Sequence, residues 1–100
     1  LATAGSSACL VDCLTLWLSN TLLAGAETEA EIVKLETTLR AARAPLVLVS
    51  NEVGSGIVPD NALARQFRDW QGILNQRIAA VADRVVLVVA GLPLALKGQA

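Results

Sequence analysis

The chain has 100 residues, 54% hydrophobic and 17% charged, which is enough for one small, core-heavy domain. A net charge of −1 and only three aromatic residues argue against a broad electrostatic grip on nucleic acid or anionic lipid, and against stacking of single strands. The longest uncharged stretches, Cys13 to Ala26 and Val85 to Leu96, fall short of the roughly 18 apolar residues of a spanning helix, so no membrane span is expected.

The first residues, "LATAGSSACLVD", lack an initiator Met and a basic leader region, so neither a complete start nor a secretory signal is expected. Within them "ACLVD" (8–12) is the first of three nearly continuous apolar runs; the others are "PLVLVSNE" (45–52) and "RVVLVVAG" (84–91). Continuous rather than alternating runs predict strands covered on both faces, as in parallel sheets. The next segment, "CLTLWLSNTLLA", reads as a short helix that is apolar nearly all round and therefore buried. Cys9 and Cys13 are the only cysteines, and without any histidine they cannot complete a four-ligand zinc site, so they read as buried free thiols.

Thr28 and Glu31 have capping-box spacing and open a predicted helix over 28–43. Its Glu29 and Glu31 stand early and its Arg40 and Arg43 late, as the helix dipole favours. Glu36 and Arg40 form an exposed pair on a solvated face, and Ile32, Leu35, Leu39 and Ala42 supply the buried side. The second strand ends in Ser50, Asn51 and Glu52 before "GSGIVP". Gly54 and Gly56 there suit either an anion-cradling turn or an ordinary strand-to-helix connection.

Asp60, after Pro59, is the predicted N-cap of a long helix whose apolar stripe runs Leu63, Phe67, Trp70, Leu74, Ile78 and Val81. Gly72 interrupts it at a cost of roughly 1 kcal/mol relative to alanine. Either a close packing contact or the approach of a ligand requires the missing side chain there, or the position is merely tolerant. After the third strand comes an apolar tail, "LPLALKG". The order strand, helix, helix, strand, helix, strand predicts an α/β layer with a parallel sheet, flanking helices and right-handed crossovers. Three strands leave open edges, so further chain or neighbouring subunits are expected to complete the fold.

In open α/β sheets ligands gather at the carboxyl ends of the strands, where Asp12 and Glu52 fall. An acid closing an apolar strand matches a Walker B position, which holds Mg²⁺ or its water beside nucleotide phosphates. Any strand-to-helix loop can also carry one. The phosphate-cradling pattern G-x-x-x-x-G-K-S/T is absent, and the lack of histidine excludes a His-activated serine or cysteine nucleophile within this chain. On the long helix Arg65, Arg68, Gly72, Asn75 and Gln76 share a polar flank. The two arginines suit a phosphate clamp, but they equally suit solvent or pairing with Asp69 and Glu52.

The string "NEVGSGIVPDNALARQFRDWQGILNQRIAAVADRVVLVVAG" closely resembles the C-terminal part of the bifunctional adenosylcobinamide kinase and adenosylcobinamide-phosphate guanylyltransferase family of cobalamin biosynthesis. "LVDCLTLWLSN" resembles the same family's middle segment, so the likeness covers about residues 8 to 91. Its most specific elements are N-E-V-G-x-G-I-V-P, F-R-D-x-x-G-x-x-N-Q and A-D-x-V-x-L-V-V.

The resemblance implies a P-loop NTPase, RecA-like α/β fold, a cytoplasmic homotrimer, and GTP or ATP with Mg²⁺. It further implies phosphorylation of adenosylcobinamide and transfer of GMP from GTP onto that phosphate through a guanylyl-histidine. Asp12 falls where the family has an Asp or Glu that contacts the guanine nucleotide. Asn51, Glu52, Arg65, Arg68, Asn75 and Gln76 match the family motif as candidate active-site residues without individually assigned roles.

The family's P-loop and nucleophilic histidine have no counterpart in this chain. Residues 1–100 are therefore expected to form a single domain, the C-terminal part of the enzyme without its N-terminal half, and to lack both activities alone. The alternative expectation is a noncatalytic oligomerisation module with a degenerate nucleotide site.

Overall fold

Two short apolar strands, β1 (Cys9–Asp12) and β2 (Leu46–Val49), pair in parallel with Cys9 opposite Leu46 and Asp12 opposite Val49. The computed structural model describes residues 9–51 and 61–98. Between the strands run α1 (Leu14–Leu23) and α2 (Thr28–Ala41). After β2 come α3 (Ala62–Val81), β3 (Val85–Val89) and β4 (Leu92–Lys97).

The core is built from pairs of residues three or four apart, which helical geometry places on one face. Leu14 and Leu18 of α1, Ile32 and Leu35 of α2, and Leu74 and Ile78 of α3 are all buried together. Val11 and Leu48, opposite each other in the parallel pair, pack onto this cluster from the sheet. Their neighbours Leu10 and Val47 are 65% and 59% exposed. The strands therefore alternate, and the expectation of cover on both faces is corrected: the core cluster lies on one face of β1 and β2. The apolar sequence runs encode what the sheet can bury, and in this chain only half of it is buried.

The helix readings need similar adjustment. On α1, Leu16 and Leu23 are 58% and 74% exposed, so this helix is buried along one stripe rather than all round. The capping box at Thr28 is not formed. Thr28 is already inside α2 and buried, Glu27 is the N-cap residue without a side-chain cap, and Glu31 instead pairs with Lys34 at 3.2 Å. The helix stops at Ala41, two residues short of the expected end. Asn61 rather than Asp60 caps α3, its side chain accepting from the Ala64 amide at 3.1 Å; Asp60 lies outside the described residues.

Glu36 is not a purely solvated residue. Its side chain is 13% exposed and pairs with Arg77 of α3 at 2.5 Å, while Arg40 stands 4.0 Å away. Arg77 also donates to Glu29 at 2.5 Å, so one guanidinium ties two positions of α2 to α3. The hydrogen bond to Glu29, aided by the charges of both carboxylates, raises the Arg77 pKa above its already alkaline ordinary value. A raised pKa contributes stability that is complete below the unfolded-state value and lost only as pH climbs through the folded one. Titration of Arg77 itself should therefore add no slope to stability between about pH 6 and 9. Urea midpoints across that range test this through the difference between wild type and Arg77→Met, which should stay constant.

The largest departure is at the C-terminal end. The third strand does not pair with β1 or β2 among the described residues. It forms an antiparallel pair with β4, the segment expected to be a free apolar tail. Ala90 and Gly91, both at positive φ, make the two-residue connection. Two successive left-handed residues match the twist of a tight hairpin, and glycine takes that conformation without penalty.

Lys97, at the end of β4, fastens this hairpin to the helix layer. Its ammonium donates to the carbonyls of Ala79 and Ala80 at 3.0 and 3.1 Å, in the last turn of α3 where carbonyls lack intrahelical partners. Lys97→Met should lower the unfolding free energy by about 0.3–1 kcal/mol. The loss should shrink in high salt, as denaturant titrations at two ionic strengths would show.

Candidate functional site

The parallel pairing brings the carboxyl ends of β1 and β2 to one edge. Asp12 closes β1, is exposed, and shares the uncovered face of the sheet with Leu10. Asp12 is also among the residues that line an open recess along β1, with Cys9, Leu14 and Trp17. Among the described residues no cluster of three or more acidic, cysteine or histidine side chains could hold a metal ion. One strand-end carboxylate is nevertheless enough for a nucleotide-borne Mg²⁺, which keeps several waters and takes its other ligands from phosphates.

Beside Asp12, the exit of β2 is held by side chains. Beyond Val49 the parallel register has ended, so the backbone of Ser50 and Asn51 lies outside the strand ladder. The Asn51 amide donates to Thr15 Oγ1 of α1 at 3.0 Å, and the Asn51 carbonyl accepts from Asn75 Nδ2 of α3 at 3.0 Å. The Ser50 hydroxyl donates to Asn75 Oδ1 at 2.6 Å. Gln71 Nε2 donates to Ser50 Oγ at 2.9 Å and to Asn75 Oδ1 at 3.0 Å.

This network fixes which way each amide points. Asn75 must turn its NH₂ to the Asn51 carbonyl, so its oxygen faces Gln71 and Ser50, and Gln71 must then present its own NH₂. Gln71 is 0% exposed, and its Oε1 is left buried with no hydrogen-bond partner among the described residues. A buried acceptor without a partner costs about 1–3 kcal/mol.

The expected polar flank of α3 divides. Asn75 and Arg68 are half-buried beside the core seam, whereas Arg65 and Gln76 stand exposed about a quarter-turn or more away. Arg65 and Arg68 both have interaction partners in the fold. Glu52 lies outside the described residues, as do Gly54 and Gly56. Asn51 and Asn75 are brought into direct contact through Asn75 Nδ2.

Thr15, Ser50 and Gln71 were not singled out as site residues from the sequence. Gln71 carried a signal, being the one polar residue on the helical steps from Phe67 to Leu74 and Ile78. Among the described residues Gly72 meets no close neighbour, since a Cβ built there would find nothing within 4 Å. Packing thus gives no reason for the missing side chain, and in the unliganded chain Gly72→Ala should raise stability by roughly 0.5–1 kcal/mol. Thermal unfolding checks this; a fall in the melting temperature would reveal a close approach at that position.

In open α/β sheets ligands bind at the carboxyl ends of the strands, and in this chain that edge carries Asp12 and the amides and hydroxyls gathered at Asn51. Residues 1–96 match the family profile described as cobinamide kinase / cobinamide phosphate guanyltransferase, and the chain belongs to that family. It is 46% identical over 92 residues to the bifunctional adenosylcobalamin biosynthesis protein CobP of Pseudomonas aeruginosa, covering 90% of this chain and 53% of the relative. To the protein CobU of Salmonella typhimurium, also described as bifunctional in adenosylcobalamin biosynthesis, it is 42% identical over 109 residues, covering 94% of this chain and 60% of the relative. The Escherichia coli CobU is 50% identical over 68 residues, covering 68% of this chain and 38% of that protein. The chain spans about half the length of the curated relatives it matches.

Proposed function

We propose that this chain supplies the nucleotide-handling strand ends of an enzyme that phosphorylates adenosylcobinamide from ATP or GTP. The same enzyme then transfers GMP from GTP to the resulting phosphate, giving adenosylcobinamide-GDP. The observation that carries the reading is the position of Asp12. It is an exposed carboxylate at the carboxyl end of a parallel strand, beside the side-chain-held exit of β2.

In this reading Asp12 holds the guanine nucleotide, directly or through Mg²⁺, and Arg65 and Arg68 of α3 are the candidate cations for phosphate. Phosphoryl and nucleotidyl transfer depend mainly on positioning and on neutralising developing charge. Both reactions also need a phosphate-cradling loop and, for a covalent guanylyl intermediate, a nucleophilic histidine. Neither is present in these 100 residues, so the chain binds nucleotide without turnover.

The reading includes a P-loop NTPase frame in which residues 1–100 act as one C-terminal domain, a cytoplasmic location, and a homotrimer. Support for association is the uncovered apolar surface of the hairpin, where Val88, Leu92 and Leu94 are 65%, 69% and 55% exposed. Among the described residues no helix is long and apolar enough to cross a membrane.

Calorimetric titration with GTP and Mg²⁺ tests the proposal. A dissociation constant between about 10 μM and 1 mM is expected. Absence of binding, even with these residues joined to a relative's phosphate loop and histidine, would overturn it in favour of a noncatalytic oligomerisation module.

A further inference from the structure

We propose that Thr15, Ser50, Gln71 and Asn75 form a positioning clamp for the nucleotide site, fixing the Asn51 peptide so that the chain leaves β2 in one direction beside Asp12. The proposal rests on the nucleotide reading above and adds residues and a physical task to it.

Asn51 lies past the last ladder pair, yet both its backbone polar groups are engaged by side chains from two different helices. Its N–H goes to Thr15 of α1 and its C=O to Asn75 of α3. A peptide at the end of a surface strand can satisfy both groups with water, so stability does not require these contacts. What they do is define the orientation of the Asn51 peptide itself. Gln71 and Ser50 complete the device by locking the Asn75 amide, since its oxygen receives hydrogens from both and cannot turn away.

Gln71 is the telling member. An apolar side chain of similar volume at this fully buried position would remove the orphaned Oε1 and pack beside Leu74 and Phe67. A glutamine retained solely for packing is therefore unexpected, whereas a glutamine that aims Asn75 has a purpose. The amide of Asn75 is then committed within the fold, which makes it a residue that shapes the site rather than one that reads the ligand.

The test uses the full chain with two measurements, GTP·Mg²⁺ affinity and hydrogen exchange of the Asn51 amide. Gln71→Met is expected to leave the melting temperature unchanged or higher while weakening GTP affinity about tenfold. Thr15→Val should speed Asn51 exchange about tenfold, and Thr15→Ser, which keeps the acceptor oxygen, should restore it. Unchanged affinity in Gln71→Met would overturn the clamp, as would a melting temperature that falls in proportion to the affinity. Equal exchange in Thr15→Val and Thr15→Ser would overturn it too. A wild-type chain that binds no GTP would instead remove the nucleotide reading, and with it the site the clamp serves.

Discussion

Leu18→Ala is expected to lower the unfolding free energy by about 3 kcal/mol, within the range of 2–5 for buried leucine truncations. Leu18 is 0% exposed and lies in a cluster of six buried hydrophobic side chains drawn from all three helices. Removing its branched end forfeits transfer free energy and leaves a cavity that three packed helices cannot all close. A domain of this length has about 5–15 kcal/mol of stability in total, so the variant loses a fifth or more of it. The melting temperature should fall by roughly 12 °C or more. Leu16, two residues along the same helix but 58% exposed, is the control; Leu16→Ala should stay within about 0.5 kcal/mol of wild type. Equal losses in the two variants would contradict the one-sided burial of α1.

The second large effect is on binding. Asp12→Asn keeps the size of the side chain and removes its charge, so GTP affinity in the presence of Mg²⁺ should fall at least about tenfold. Because Asp12 is exposed at the strand end, its loss should move stability by less than about 0.5 kcal/mol. Asp12→Glu should retain most of the binding, since the charge remains at the same strand end. Titration calorimetry of the three proteins, with melting curves alongside, separates a lost ligand contact from a disturbed fold. Undiminished affinity in Asp12→Asn would move the nucleotide away from β1.

The sequence was legible where periodicity and burial agree. Continuous apolar runs located β1, β2 and β3 within one or two residues at most ends, and the stripe through Phe67, Leu74 and Ile78 located α3. It was less legible where a residue's partner is distant in sequence. Glu36 looked like half of a local pair with Arg40, but Arg77 comes nearer and draws it toward α3. The β4 strand was hidden because its turn is Ala90-Gly91 rather than an Asn-Gly or Asp-Gly signal, and because Pro93 within it argues against a strand.

The strand-end edge could be located, with Asp12 and Asn51 on it. The means of holding it could not, since Thr15, Ser50 and Gln71 meet Asn51 and Asn75 only after folding. The apolar neighbours of Gln71 dominate the stripe and mask it in the sequence. A polar residue in a core register is the kind of local inconsistency that functional or strained positions produce.

A nuclear magnetic resonance titration of the chain with GTP and Mg²⁺, followed amide by amide, addresses the central claim most directly because it detects even millimolar binding. Saturable shifts should concentrate at residues 12–15 and 50–51 and along α3 from Arg65 to Gln76, leaving the β3–β4 hairpin unmoved. Shifts centred on the hairpin, or none at any GTP concentration, would contradict a nucleotide site at the carboxyl ends of β1 and β2.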